Sequence, residues 1–273
     1  MSGAAYLSAS AALRSGIGLA HVFTHEDNRI IIQSQLPEAI LSTYGDGNFA
    51  DFSPALASAL DEADVAVVGC GLGRSATAAA LLEQVLNDES GKTMVLDADA
   101  LNILAENPHL WSARRLADTQ RHTTVITPHP AEFARLTDAS VSDILRELPV
   151  RAARFARERG VFVVLKDAHT VIAAPDGTCF INPYANSGMA KGGSGDVLSG
   201  IIGAMLMDVS KNDGLTDTDV ASAIASAVLL HSLAGAKARE DLGEVSMLPT
   251  DLIKCISHVT RNFCDTTAKI EYV

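Results

Sequence analysis

The sequence predicts an α/β fold in which a mostly parallel central sheet carries helices on both faces. Short apolar runs, often β-branched, alternate with longer helical patterns along the 273 residues. The runs are apolar on both sides, which is typical of parallel strands covered by two helical layers. A pair of short runs flanks Pro175, Asp176 and Gly177, which predicts a hairpin and therefore an antiparallel edge.

The elements follow in a regular order. Small residues over 4–14 predict a helix that ends at Gly16 and Gly18, before a strand over 19–24. Four continuous apolar runs predict the central strands, at residues 64–68, 93–96, 123–127 and 161–165. Helical patterns at 76–86 and 142–159 supply crossovers, and runs at 171–174 and 178–181 form the hairpin. Three helices close the chain near residues 196–207, 217–239 and 249–263, the first two separated by a polar loop at 210–218.

Composition excludes several classes of protein. Charged residues give 21 − 33 = −12, so a broad basic surface for nucleic acid is not expected. Hydrophobic residues make up 48%, which supplies a core and argues against disorder. We expect no apolar run long enough to span a membrane, and the N-terminus lacks the basic region of a signal peptide, so the cytoplasm is the expected compartment.

The four cysteines have no CxxC pairing and no histidine at ligand spacing. We therefore expect buried or idle thiols rather than a disulfide framework or a zinc site. The chain also shows no internal repeat, low-complexity tract or linker, so a single domain over residues 1–273 is the simplest interpretation.

Loops rich in glycine, carboxylate, histidine or lysine follow the predicted central strands. In open α/β sheets, ligands bind beyond the carboxyl ends of the strands. The loops are Gly69-Cys-Gly-Leu-Gly73, Asp97-Ala-Asp-Ala-Leu-Asn102, Pro128-His-Pro-Ala-Glu132 and Lys166-Asp-Ala-His-Thr170. Asp97 and Asp99 could bind Mg²⁺ through water or cap the following helix, and we favour the cap.

The stretch from Asn182 to Gly200 is the most informative, and within it Gly192, Gly193 and Gly195 precede Asp196. Its glycines free the backbone so that successive N–H groups can converge on an anion, and the helix expected to begin at Asp196 points its dipole at the same place. Asp196 could then take a proton from a hydroxyl while the amides hold a phosphate. The structural alternative is a glycine turn with Asp196 as a plain helix N-cap. No GxxxxGK[ST] or GxGxxG motif is present.

Several ordered motifs resemble the ADP/ATP-dependent NAD(P)H-hydrate dehydratase family of the ribokinase-like superfamily. Gly-Gly-Ser-Gly-Asp-Val-Leu-Ser-Gly at Gly192 carries the superfamily resemblance. The others are Gly-Ala-Ala-x-Leu-Ser-Ala at Gly3, Leu-Arg-Ser-Gly-x-Gly-Leu at Leu13, Gly-x-Gly-Leu-Gly at Gly69, Val-Leu-Asp-Ala-Asp-Ala-Leu-Asn at Val95, Thr-Pro-His-Pro-x-Glu at Thr127 and Leu-Lys-x-Ala-x-Thr at Leu165. The resemblance covers nearly the whole chain and implies a ribokinase-like three-layer sandwich.

The resemblance also implies an activity. ADP or ATP, with Mg²⁺, would phosphorylate the ring hydroxyl of hydrated NADH or NADPH, and loss of phosphate would restore the dihydronicotinamide. It implies no dedicated metal cage, because phosphates and water would hold the ion. Family members commonly form homo-oligomers.

Site residues are carried over position by position. The resemblance gives Asp196 as the base, with Gly193 and Gly195 as phosphoryl-binding amides. The implied contacts to the hydrated dinucleotide are Ala5, Gly71, Gly73, His129, Asn186 and Asp196. The implied nucleotide-binding residues are Lys166, Asp167, Ala168, His169, Thr170 and Gly195. Lys166 could instead be an ordinary solvated strand end, and His129 could be a structural hydrogen-bonding residue.

The chain departs from the family pattern in places. Cys70 replaces the usual Pro, while Ala131 and Asp167 each replace a usual Gly. Asp167 would weaken nucleotide binding unless it points away or faces Mg²⁺. Family members usually begin earlier, so we expect this chain to lack the family's first strand. Two other functions stay open: a small-molecule kinase of the hydroxyethylthiazole type, and an inactive nucleotide-binding homologue.

Overall fold

The fold is a central sheet with helical layers on both faces. The computed structural model describes residues 1–88, 92–112, 123–212 and 214–267. The strands are β1 His21–His25, β2 Ile40–Tyr44, β3 Val65–Val68, β4 Thr93–Leu96, β5 Thr124–Ile126, β6 Phe162–Leu165, β7 Val171–Ala173 and β8 Cys179–Ile181. Within those residues the larger sheet has the order β3-β4-β5-β6-β7-β8. Strands β3 to β6 pair in parallel and β6 to β8 are antiparallel, which confirms the predicted sheet with its hairpin edge.

The helices connect and cover these strands. They are α1 Ser2–Arg14, α2 Arg29–Gln35, α3 Phe49–Glu62, α4 Ala76–Leu86, α5 Asp99–Glu106, α6 Pro130–Thr137, α7 Val141–Arg146, α8 Leu148–Arg159, α9 Ser194–Met205, α10 Met207–Ser210, α11 Asp217–Ser246 and α12 Pro249–Thr267. The single helix predicted over 142–159 is wrong. It is broken at Glu147, whose φ of −139° and ψ of 38° are not helical, and Pro149 then suits the first turn of α8.

Alternate side chains of the central strands enter two separate cores. Met94 and Leu96 pack with α3 to α8 on one face. Val95 lies in the other core, with residues of α1, α9, α11 and α12. Because side chains alternate along a strand, the two cores place the sheet between two helical layers.

Strand β1 corresponds to the strand predicted over residues 19–24 and lies outside the larger sheet. It pairs in parallel with β2 in a separate two-stranded sheet. Strand β2 has no counterpart among the strands predicted from the sequence, and none of its five residues is buried. Its side chains are only partly covered, so it lacks the continuous apolar signal of a central strand.

Helix α11 differs from the expectation that no apolar run reaches the length of a membrane span. By length and composition it is long and apolar enough to cross a membrane. However, 56% of its apolar window is buried inside the fold, as expected of a core helix, and it is kinked at Gly243. The helix therefore packs in the same core as α9.

Helices α1 and α9 approach closely at Gly200. A Cβ at this position would overlap the carbonyl oxygen of Ser8 and press on Ala11. This close approach sets α1 against the helix whose N-terminus carries the glycine-rich loop.

Candidate active site

The carboxyl ends of the parallel strands meet at one edge of the sheet. Backbone hydrogen bonds join the loop starts, with Asp97 N–H donating to Val68 O at 3.0 Å and Lys166 N–H donating to Pro128 O at 2.8 Å. The predicted loops therefore lie side by side where a ligand would bind in an open α/β sheet.

Asp97 is the centre of this cluster. Lys166 Nζ donates to its Oδ1 at 2.7 Å, and Ser199 Oγ donates to its Oδ2 at 2.5 Å. The Asp97 residue is 1% exposed, so both carboxylate oxygens are desolvated and need these partners. The three side chains join the ends of β4 and β6 to α9.

The preferred cap role for Asp97 and Asp99 is wrong. Ala98 is the N-cap residue of α5, with φ of +47°, and no side chain caps that helix. Asp97 binds Lys166 instead, because a buried carboxylate and a buried ammonium each need an opposite charge. Asp99 lies in the first turn of α5, and its Oδ2 accepts a hydrogen bond from Gly73 N–H at 2.8 Å.

Lys166 is not the solvated strand end offered as an alternative. Burial lowers its pKa, but the negative charges of Asp97 and Glu132 outweigh this effect, and the net pKa lies above the usual value for lysine. The ammonium group therefore stays protonated at neutral pH. A Cβ on Gly195 would lie 3.3 Å from Lys166 Nζ, so this cation sits beside the glycine loop.

Helix α9 begins at Ser194, two residues before the predicted start. Gly193 is its N-cap residue, with φ of +103°, which is a conformation that favours glycine. Asp196 is therefore a first-turn residue, and the reading as a plain N-cap is wrong. Ser194 N–H donates to Lys191 O, whereas the N–H groups of Gly195 and Asp196 belong to the turn that has no intrahelical acceptors.

The Asp196 carboxyl group is a stronger base than an ordinary aspartate. Burial raises its pKa, and the negative charges of Asp97 and Asp99 raise it further. A hydrogen bond from the Cys70 thiol and the positive charge of Lys166 act in the opposite direction without cancelling the shift. A raised pKa suits a general base working near neutral pH.

Three side chains that could each offer a metal-ligand atom converge here, but they do not form a set of oxygen ligands for magnesium. Ligand atoms of Cys70, Asp97 and Asp196 lie within 4.8 Å of one another. One is a thiol, which magnesium disfavours, and both oxygens of Asp97 already accept hydrogen bonds. A magnesium ion at this site would therefore take most of its ligands from nucleotide phosphates and water.

His129 caps its own helix. It is the N-cap residue of α6, where its Nδ1 accepts from Ala131 N–H at 3.2 Å, and Glu132 Oε2 accepts from its backbone N–H at 2.9 Å. The side chain is 48% exposed. The ring therefore has the structural hydrogen-bonding role considered above, and part of it is also accessible to solvent.

The other predicted dinucleotide contacts lie near the start of α1 and beside α11. Gly71, with φ of +75°, lies against Met1, whose amino group donates to Gly71 O. Ala5 is a partly exposed residue of α1. Asn186 Oδ1 accepts from Gly188 N–H at 3.1 Å, and its buried Nδ2 has no hydrogen-bond partner among the residues that the structure describes.

The predicted nucleotide segment after β6 is mostly at the surface. Asp167, Ala168 and His169 are exposed, and Thr170 is buried with its Oγ1 donating to Asp167 O at 3.4 Å. An exposed Asp167 carboxylate is screened by water, which reduces the expected repulsion of phosphate.

Sequence reasoning missed His231 and Ser199. His231 on α11 is buried, and its Nε2 lies 3.0 Å from the carbonyl oxygen of Ser194. Burial lowers its pKa to about 4, with Lys166 contributing, so the ring is neutral and its N–H donates to the loop carbonyl. The sequence did contain a signal for His231. It lies three or four positions from Ala227, Val228 and Ala234, and so shares the apolar face of the helix that packs against the core.

The family model for NAD(P)H-hydrate dehydratase matches residues 1–258. The chain belongs to the NAD(P)H-hydrate dehydratase family. The bifunctional NAD(P)H-hydrate repair enzyme Nnr of Escherichia coli is 37% identical over 257 residues, covering 94% of this chain. The chain spans 45% of that relative's length. The ADP-dependent (S)-NAD(P)H-hydrate dehydratase of Bacillus subtilis is 31% identical over 264 residues, which are 96% of this chain and 86% of the relative.

Solved structures of this family share the fold. A ribokinase-like superfamily protein from Enterococcus faecalis gives a TM-score of 0.79 at 29% identity, covering 96% of this chain and 83% of that one. The ADP/ATP-dependent NAD(P)H-hydrate dehydratase of B. subtilis, co-crystallised with ATP/Mg²⁺ and soaked with CoA, gives 0.77 at 29% identity, covering 96% and 88%. The predicted ribokinase-like sandwich is confirmed.

Lys166→Met tests the buried ion pair of this NAD(P)H-hydrate dehydratase family member. The change leaves Asp97 buried without its cation, so we expect the free energy of unfolding to fall by about 3–5 kcal/mol. Adding Asp97→Asn removes the remaining charge and should recover part of that loss. Urea unfolding of both single variants and the double variant measures the coupling. Losses that simply add would contradict the interaction.

His231→Gln tests the neutral histidine. Because the folded pKa lies below the usual 6.5, the unfolded chain takes up a proton that the folded chain excludes. The resulting stability is present above pH 6.5 and is lost as the pH falls toward 4. Between about pH 7 and pH 5 the wild type should lose roughly 2 kcal/mol more than His231→Gln. Equal losses in urea unfolding at the two pH values would rule out a neutral buried ring.

Proposed function

We propose that this chain restores NADH and NADPH from their hydrates by phosphorylating the ring hydroxyl with ADP or ATP and eliminating phosphate. The observation that carries the proposal is the convergence of Asp196, Lys166 and the Gly195 amide at one helix N-terminus. The names of the family relatives in E. coli and B. subtilis support the substrate.

The phosphorylation step needs a base and a cationic cradle. Asp196 accepts the proton of the ring hydroxyl, whose oxygen attacks the terminal phosphorus of the nucleotide. The phosphoanhydride bond to that phosphorus breaks, and AMP leaves from ADP or ADP from ATP. The first-turn amides of α9 and the Lys166 ammonium stabilise the negative charge that develops on the transferred phosphoryl group. His231 positions the glycine-rich loop, because its N–H donates a hydrogen bond to the carbonyl oxygen of Ser194.

Elimination then regenerates the reduced ring. The carbon–oxygen bond breaks with its electron pair leaving on phosphate, a ring proton is lost, and a ring double bond forms. Phosphate is a far better leaving group than hydroxide, so phosphorylation makes an otherwise slow dehydration easy. The oxygen of the hydroxyl departs in the phosphate.

The nucleotide would lie along the segment from Lys166 to Thr170, with Gly195 at its phosphates. Mg²⁺, when bound, neutralises phosphate charge and orients the transferred group. The exposed Asp167, Ala168 and His169 would face the nucleoside, whereas the buried Thr170 fixes the turn through its bond to the Asp167 carbonyl.

The hydrated dinucleotide would contact the start of α1 and the loop after β3. Ala5, Gly71 and Gly73 form this side, and Asn186 offers an amide Nδ2 that has no partner within the described residues. His129 would reach the substrate from the N-terminus of α6, through the exposed part of its ring.

We also propose a single domain that acts as a cytoplasmic homo-oligomer. The family match runs continuously over residues 1–258, which supports one domain. Val245 and Leu248, which are 91% and 52% exposed, support a contact between copies. The cytoplasm holds the ADP, ATP and reduced nicotinamide pools that the reaction needs.

A turnover assay tests the function. The protein is incubated with hydrated NADPH, Mg²⁺ and ADP or ATP, and both the absorbance of reduced nicotinamide and the released phosphate are followed. Recovery of absorbance with equimolar phosphate is expected. A stable phosphorylated product would favour a small-molecule kinase. The hydroxyethylthiazole kinase of Pyrococcus horikoshii is similar to this chain in fold alone, with a TM-score of 0.60 at 17% identity. Nucleotide binding without turnover would indicate an inactive homologue.

Asp196→Asn tests the base. The amide cannot accept the hydroxyl proton, so turnover should fall by roughly 10²–10⁴-fold while nucleotide binding is largely kept. The matched control is Asp208→Asn, which removes an exposed carboxylate in the short helix after α9. Steady-state assays and nucleotide titration compare the two. Near-normal turnover in Asp196→Asn would remove this residue from the base role.

A further inference from the structure

Cys70 places a thiol at the centre of the candidate active site. It lies between Gly69 and Gly71, both of positive φ, in the loop after β3. A Cβ on Gly69 would overlap the carbonyl oxygen of Asp97, so this backbone is held against the loop that carries Asp97. The thiol sulfur and one carboxylate oxygen from each of Asp97 and Asp196 lie within 4.8 Å of one another. Proline, the residue usual in the resembling family, has no donor to offer there.

The surroundings keep Cys70 in its protonated form. Burial raises the pKa of the thiol, and the charges of Asp97 and Asp196 raise it further, to well above its usual value. A hydrogen bond from Ser8 to the sulfur acts in the opposite direction without reversing the shift. A protonated thiol is a weak nucleophile but retains one S–H donor.

Of the two carboxylates beside the thiol, Asp196 is the one available to accept this hydrogen bond. The oxygens of Asp97 already accept from Lys166 and Ser199, whereas an Asp196 carboxylate oxygen lies within 4.8 Å of the Cys70 sulfur. We infer that Cys70 is a positioning residue that donates its S–H to Asp196 and holds the carboxylate where it can accept the substrate proton. This inference rests on the proposed function of Asp196 as the base.

The thiol also sets the working pH of the base. The groups that act on Asp196 are the carboxylates of Asp97 and Asp99, which raise its pKa, and Lys166 and Cys70, which lower it. Loss of the S–H removes one of the two stabilising partners of the carboxylate. The pKa of Asp196 should then rise, and the acid limb of the activity profile should move to higher pH.

The pH dependence of kcat/KM for hydrated NADPH tests this in Cys70→Ala and Cys70→Ser. The acid limb of Cys70→Ala should lie about one pH unit above that of the wild type. Cys70→Ser keeps a donor and should return the limb to the wild-type position or below. A merely structural cysteine would lower the rate at every pH without moving the limb. An unmoved limb in Cys70→Ala would overturn the inference.

A second measurement does not depend on turnover and so separates this inference from the proposed function. Alkylation of Cys70 by iodoacetamide is followed by peptide mass spectrometry, with the exposed Cys179 as the internal reference. Asp196→Asn removes a carboxylate that raises the thiol pKa, so alkylation of Cys70 should become about tenfold faster. The control Glu106→Gln, in an exposed carboxylate paired with Arg74, should leave it unchanged. Equal rates in Asp196→Asn and wild type would overturn the inference even if hydrate turnover is confirmed.

Discussion

The buried carboxylate of Asp97 is the constraint on which the rest of the site depends. Its two oxygens bind Lys166 and Ser199, and so one side chain joins two strand ends to the helix that carries Asp196. A desolvated charge tolerates little displacement, because moving either partner would leave it unpaired in the protein interior. The same contacts that stabilise the sheet edge therefore fix the distance between the cation and the glycine loop.

This arrangement also sets the electrostatics of the cleft. Burial, together with the negative charges of Asp97 and Asp99, raises the pKa of Asp196, and the nearby ammonium of Lys166 offsets only part of this effect. A nucleotide brought into such a cleft meets repulsion from carboxylates and attraction from Lys166 and the helix N-terminus. Mg²⁺ bound to the phosphates would neutralise part of their charge and so reduce this repulsion.

The sequence predicted what depends on local pattern and missed what depends on tertiary contact. Continuous apolar runs identified the central strands because burial on both faces leaves few polar positions, such as Thr93 and Thr124. Strand β2 escaped because its side chains are only half-covered, and Ser199 because a serine in an apolar helix carries no visible partner. The role of Asp97 was mistaken, since helix capping is readable from neighbours in sequence whereas the partner Lys166 lies 69 positions away. The sequence marks Cys70 only as a departure from the family pattern, whereas the fold brings its thiol beside Asp196.

The most direct test of the account follows the fate of one oxygen atom. NADPH hydrate carrying isotopically heavy oxygen in its ring hydroxyl is turned over with ATP and Mg²⁺, and the released phosphate is analysed by mass spectrometry. Attack of that hydroxyl on the nucleotide, assisted by the carboxylate at the mouth of α9, requires the label to leave in phosphate. Label recovered in water, with unlabelled phosphate, would contradict it.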